Sequence, residues 1–230
     1  MMYLDKYQYG RMHWVIVVGA VVVVILAALT STVLIQEQSD ESLMEAVDDA
    51  RTAALASDHA PTIGDPDAPV HIVEFLDPAC ETCALFYPML KSWMSQVPGK
   101  IRLTVRHVPF HRGAEHAVQV LEASREQGLY WETLEAMLAS QAQWTRNHVV
   151  LPDQVIPAVA DVGLDLDRLE RDMNDADVGR RMEQDQEDAV TLKVRATPQY
   201  FVNGRELVNF GAENLAALVR EELEKAERAR

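Results

Sequence analysis

Trp14 to Ile35 runs for 22 residues without a single charge. At about 1.5 Å rise per residue, a helix of that length covers roughly 33 Å, enough to cross a bilayer core. In lipid a lone segment satisfies its own backbone only as a helix, so the valines at 21–24 are no obstacle. Lys6, Arg11 and His13 precede the run against one acid, Asp5, while Glu37, Asp40 and Glu41 follow it. Basic flanks stay in the cytoplasm. Residues 1–13 are therefore expected to be cytoplasmic, 14–35 a single-pass transmembrane anchor, and the chain from 36 onward outside. A buried core helix fits neither the length nor the flanks. A cleaved signal peptide would close its apolar region with a small-x-small site, for which Ala28-Leu29-Thr30 is a poor substitute.

Residues 36–68 read as an acidic linker. Ser39 to Ser57 can form one helix, with Leu43, Val47, Ala50 and Ala54 as a thin stripe that suits a solvated spacer or a weak oligomerisation face. Pro61 to Pro69 is rich in turn residues and marks a boundary. Beyond it the pattern changes. Val70–Leu76 reads as a mostly apolar strand. Cys80–Val97 reads as a helix, with Cys83, Tyr87, Leu90, Met94 and Val97 on one side. Ile101–Val108 alternates apolar with polar, which predicts a strand with one half-exposed face. Strand, helix and strand make a βαβ unit with parallel strands. Residues 113–189 are helical in character and carry no good strand. Gln199–Val202 and Arg205–Asn209 flank Asn203-Gly204, a signal for a two-residue hairpin turn, and Glu213–Glu227 closes the chain as a helix.

Lys plus Arg number 21 and Asp plus Glu 36, a net charge of −15, and no basic run could neutralise phosphates, so nucleic acid is not expected as a partner. The chain has two cysteines, Cys80 and Cys83, which rules out a disulfide-rich scaffold and a four-thiolate metal site within one chain. Cysteines three apart at a helix start can close a small disulfide. The first sits where N–H groups and the helix dipole favour a thiolate, and the second points inward and can attack a mixed disulfide formed by the first. Zinc would need two further ligands, and His107, His111 and His116 are not spaced to pair with Cys80. An inert disulfide would add little, because so small a loop is already fixed by its helix.

Three more features bear on this pair. Glu74 falls in the middle of an apolar strand, where burial would raise its pKa and let it carry protons for Cys83. Pro88 lies inside the apolar helix pattern. Thr197-Pro198 opens a strand, a plausible cis site. Tyr130 and Trp131 read as packing in the helical insert, Tyr200 as strand core, and His107 and His111 as loop-edge residues without assigned chemistry.

With these residues in view, residues 69–230 resemble the DsbA-like branch of the thioredoxin superfamily. Four blocks carry the likeness in the family's order: GDPDAPVHIVEF, DPACETCALFYP, RHVPFH and ATPQYFVNG. The resemblance implies an α/β thioredoxin-like fold with a helical insertion, about 113–189, after the first βαβ unit. It implies Cys80 as nucleophile, Cys83 as resolving cysteine, Glu74 as buried acid, and Thr197-Pro198 as a cis-proline loop that pairs with substrate backbone. The dipeptide between the cysteines departs from the pattern: Glu81-Thr82 stands where DsbA has Pro-His and thioredoxin Gly-Pro. Glu81 has the wrong charge to stabilise a thiolate, so strong oxidising power does not carry over.

The sequence therefore predicts an extracytoplasmic thiol:disulfide oxidoreductase acting on protein cysteines. It would use no cofactor or metal, and a redox partner in the membrane would reset the pair. The alternatives are a thioredoxin-fold adaptor or chaperone with little turnover, an electron-fed reductase or isomerase, and a metallochaperone.

Overall fold

Five strands carry the site. In the computed structural model, which describes residues 36, 38–39, 41–56 and 58–229, the central strand β2 (Val70–Leu76) pairs in parallel with β3 (Ile101–His107) and antiparallel with β6 (Gln199–Val202). Short strands β1 (Thr62–Ile63) and β7 (Arg205–Glu206) form the edges, giving the order β1-β3-β2-β6-β7. The β2–β3 crossover is helix α2 (Glu81–Gln96), the expected βαβ unit. Between β3 and β6 lies the helical insertion: α3 (Ala114–Ser124), α4 (Tyr130–Ala139), α5 (Gln141–Trp144), α6 (Pro152–Ala158), α7 (Leu166–Asp172) and α8 (Ala176–Thr191). The last helix, α9 (Ala212–Arg228), packs on β2 and β6 through Leu215 and Val219. The α/β fold expected from the sequence is present.

Alternation along β2 divides the core. Ile72 and Leu76 join Cys83, Tyr87 and Leu90 of α2 and Tyr200 of β6 on one face. Val73 and Phe75 join Ala189, Leu192 and Phe201 on the other. The β6–β7 turn is Asn203-Gly204 with φ 47° and 80°, the positive values that a type I′ turn needs.

Several expectations change. The β3 face expected to be half-exposed is covered: Thr104 and Arg106 are buried, because α8 packs there. The insertion does contain strands, β4 (Thr145–Arg146) and β5 (Val149–Val150), paired as a hairpin too short to show a period. The chain divides into compact units at Ala50/Arg51, and residues 51–68 fall in the second. There β1 pairs with β3, and Ala54 and Ala60 are buried. Within the first unit, residues 41–50 are helical (α1) and expose Leu43, Met44 and Val47. The cytoplasmic 1–13 and the anchor Trp14–Ile35 lie outside the described residues. Among those described, no helix is long and apolar enough to cross a membrane.

Candidate active site

The chain leaves β2 at Leu76 and turns through Asp77 into α2. Asp77 is fully buried, and it sets the turn: its carboxylate accepts from the Ala79 N–H at 2.8 Å and its carbonyl from the Cys80 N–H at 3.0 Å. Cys80 is the N-cap of α2, in extended backbone, and Cys83 sits one turn in. Both are free thiols. Cys83 has no exposed surface and Cys80 has 6%. Pro88 lies inside α2, which runs on to Gln96.

The two thiols are driven apart. Cys80 is lowered from an ordinary 9.0 to about 6. The largest cause is the hydrogen bond from the Cys83 thiol. Burial opposes it, and the Cys83 N–H, the Thr197 side chain and the Thr82 N–H add to it. Cys83 is pushed well above its ordinary value by burial first, then by its bond to Cys80 and the negative charges of Glu74 and Cys80. The sequence argument looked to the helix terminus for the low value. The structure supplies it mainly through the second thiol, with two first-turn N–H groups helping.

Glu74 lies under this pair with no exposed surface, pushed up to about 8 by burial, against which the Tyr200 hydrogen bond works. Its Oε1 accepts from the Tyr200 hydroxyl at 2.9 Å. Its Oε2 is buried and has no hydrogen-bond partner among the described residues. The Thr197–Pro198 bond is cis. The Cys80 thiol lies 3.3 Å from the Thr197 carbonyl, to which it donates. All five residues singled out from the sequence thus come together at one end of β2.

Other residues join them that the sequence reading left without chemistry. His107 is not at a loop edge: it ends β3 fully buried and hydrogen-bonds the Tyr130 hydroxyl at 2.8 Å. His111 pairs with Asp77 through Nδ1 at 2.7 Å, and its ring stacks on His148 at 5.7 Å. His148 in turn meets Glu81 at 3.1 Å. Asn147 and His148 form the β4–β5 turn, both with positive φ. This turn carries an imidazole from the insertion to the dipeptide between the cysteines. The only sequence signal for it is an Asn opening a turn between two short apolar-flanked segments. Among the described residues, no three His, Cys, Asp or Glu side chains are placed to hold a metal ion.

Comparison with known proteins agrees with this fold. The family model described as thioredoxin matches residues 56–221. Among curated relatives, the Na(+)/H(+) antiporter NhaA of Herminiimonas arsenicoxydans is 32% identical over 144 residues, 63% of this chain and 22% of that protein. The chain spans about a quarter of the length of the curated relatives it matches. Among solved structures, alpha-DsbA1 of Wolbachia pipientis superposes with a TM-score of 0.67 at 21% identity, covering 78% of this chain and 98% of that one. A thioredoxin-like oxidoreductase from Silicibacter pomeroyi gives 0.65 at 24% identity, covering 77% and 97%. BdbD of Bacillus subtilis gives 0.64 at 22% identity, covering 72% and 94%.

Proposed function

The chain belongs to the thioredoxin family, and from that premise we propose that it is a thiol:disulfide oxidoreductase acting on protein cysteines, with its catalytic domain outside the cytoplasm on the Trp14–Ile35 anchor. One observation carries the reading: Cys80 and Cys83 share a helical turn, yet one thiol is lowered to about 6 and the other held well above its ordinary value. That asymmetry separates an attacking group from a resolving one. Sodium/proton antiport does not transfer to this chain, which matches only about a quarter of the antiporters.

In the oxidising direction a client thiolate attacks Sγ of Cys80 in the Cys80–Cys83 disulfide. The S–S bond breaks, and Cys83 leaves as a thiolate that takes a proton from Glu74. A second client thiolate then attacks the client sulfur of the mixed disulfide, and Cys80 leaves as a thiolate. The client loses two electrons and the pair gains them. A disulfide-bearing partner in the membrane withdraws them again. In the reducing direction the steps reverse: Cys80 thiolate attacks a client disulfide, Cys83 gives its proton to Glu74 and attacks Cys80, and the client thiol leaves. The cis Thr197–Pro198 loop beside Cys80 suits an extended client backbone, and exposed Leu85 and Phe110 suit a polypeptide.

The test is insulin reduction and oxidation of a reduced dithiol peptide, with Cys80→Ser as control. Turnover in either assay that Cys80→Ser abolishes is the expected result. Client binding with no turnover would mean an adaptor instead. Thiol trapping in cells reads the direction: mostly disulfide for an oxidase, mostly dithiol for a reductase or isomerase. Protease access from outside the cell tests the topology.

A further inference from the structure

Glu74 is a buried carboxyl without a cation. No Lys or Arg among the described residues forms an ion pair with it. The groups that face it are few. From α2 come Cys80, Cys83 and Tyr87, each electrostatically coupled to it. From β3 its register partner is Val105, and from β6 it is Tyr200. From α9 come the buried Leu215 and Val219, while Glu222 is taken up by Arg205 and Lys225. Among the described residues, the Tyr200 hydroxyl is therefore the one polar group that hydrogen-bonds the Glu74 carboxyl.

It holds it in a particular way. Glu74 and Tyr200 are directly opposed across the antiparallel β2–β6 pair, where side chains meet. Tyr200 is fully buried, and Phe86 stacks on its ring at 6.1 Å with Phe210 behind at 4.9 Å. The phenol is packed in the core against this stack. Its hydroxyl occupies Oε1 and leaves Oε2 without a hydrogen-bond partner among the described residues. The segment that carries Tyr200 also carries Thr197, whose carbonyl touches Cys80. One short stretch of chain thus reaches both the attacking sulfur and the acid.

We propose that Tyr200 is a positioning residue of the thiol exchange: its hydroxyl fixes Oε1 of Glu74, turns the free Oε2 to Cys83, and favours the carboxylate that accepts the Cys83 proton. The proposal rests on Glu74 being the proton carrier. In resolution, the Cys83 S–H bond breaks, the proton passes to Oε2, and the sulfur electron pair attacks Cys80 and expels the client thiolate. In opening of the disulfide, the proton returns from Oε2 to the departing Cys83. A hydrogen bond to the charged form lowers a carboxyl pKa, so losing it leaves Glu74 protonated to higher pH. The two half-reactions then respond with opposite sign. Resolution needs the carboxylate and slows at neutral pH. Opening needs the acid form and persists to higher pH. A loss of packing would weaken both alike.

Tyr200→Phe keeps the aromatic stack and removes only the hydroxyl. Reduced protein mixed with 5,5′-dithiobis(2-nitrobenzoate) releases one thionitrobenzoate as Cys80 attacks and a second as Cys83 resolves. The first phase reports Cys80 and serves as the folding control. We expect Tyr200→Phe to leave that phase unchanged, to raise the midpoint of the second phase by about one pH unit, and to slow it roughly tenfold at pH 7. The alkaline limb of disulfide opening by dithiothreitol, corrected for that reagent's own thiolate fraction, should move up with it. In a Glu74→Gln background, Tyr200→Phe should add nothing. Unchanged midpoints, or both phases slowed alike without a shift, would overturn the role of Tyr200. So would an undiminished effect in the Glu74→Gln background. A second phase unaltered by Glu74→Gln itself would instead overturn the proton-carrier reading beneath it.

Discussion

Two polar groups with no exposed surface sit on neighbouring strands and face opposite sides of the sheet, and they solve burial differently. Arg106 of β3 is fully compensated: Nε donates to Asp185, Nη2 to Asp188 and Nη1 to the Ala54 carbonyl. Asp185 also pairs with His59 and accepts from the His107 N–H. Burial works against ionising Asp185, but the His59 hydrogen bond and the Arg106 charge outweigh it and hold its carboxyl below the usual value. Glu74 of β2 has one hydroxyl and, among the described residues, no counter-charge, and burial pushes it up to about 8. A charge supplied with partners stays ionised and ties α8 to the sheet. A carboxyl denied a cation is left near neutrality, where it can trade protons.

The sharpest way to break this contrast is at the thiols beside Glu74. Cys80→Ser should abolish turnover outright, and Cys83→Ala should accumulate mixed disulfides through Cys80, seen as client adducts on non-reducing gels. Adducts that appear only with Cys80→Ala would reverse the roles of the two cysteines. On the other face the loss should be of stability. Asp185→Ala leaves Arg106 short of a partner, and breaking a buried pair from one side costs about 3–5 kcal/mol. Urea unfolding measures it. The reactivity of Cys80 per folded molecule should not change; if it falls, the two faces are coupled and the contrast is too simple.

In a Cys80→Ser background, where the thiol lowered to about 6 is gone, pH separates the faces. Glu74 is raised in the fold from 4.5 to about 8. The unfolded carboxyl therefore ionises first, and the stability associated with its protonated form is complete below about 4.5 and lost as pH rises toward 8. Between pH 5 and 7 that loss is on the order of 2–3 kcal/mol at the linkage slope of roughly 1.4 kcal/mol per unit. Asp185 is lowered below 3.8, so its contribution is present above that value and lost as pH falls through the folded pKa. Glu74→Gln should flatten the decline toward pH 8 and leave the acid limb alone; Asp185→Asn should do the reverse. Equal flattening by both variants would show that the limbs reflect net charge rather than these two carboxyls.

Much of the Glu74 side was legible in the sequence because its signals are local. The apolar run around Glu74, the spacing of the cysteines, Thr197-Pro198 and Asn203-Gly204 all declare themselves within a few residues. The family's order of blocks then brought them together. The Arg106 side was not legible. Its acids lie 79 and 82 residues away, on a helix whose position the alternation of β3 cannot reveal, so the same pattern read as a solvated face. Tyr200 was visible as strand core, but its hydrogen bond depends on the register of β2 with β6. The run from Asp77 through His111 and His148 to Glu81 joins three separate segments, and two of its links are turns.

That run carries the smallest expected effect. Glu81 stands between the cysteines with a charge that opposes a Cys80 thiolate. His148 meets its Oε2 at 3.1 Å, with side-chain exposures of 62% for the His and 59% for the Glu. Exposed pairs of this kind contribute about 0–1 kcal/mol and are screened by salt. The imidazole offsets Glu81 only in its cationic form. His148→Ala should therefore raise the Cys80 pKa by a few tenths of a unit, more at low ionic strength than at high. Glu81→Gln should lower the Cys80 pKa and make the disulfide a stronger oxidant, since a better-stabilised thiolate favours the reduced pair. In the Glu81→Gln background, His148→Ala should raise the Cys80 pKa by less than it does alone. Titration of Cys80 by thiolate absorbance and glutathione equilibration of the four variants measure both quantities. If His148→Ala acts equally with and without Glu81, its influence runs through the His111 stack and Asp77 beneath the turn.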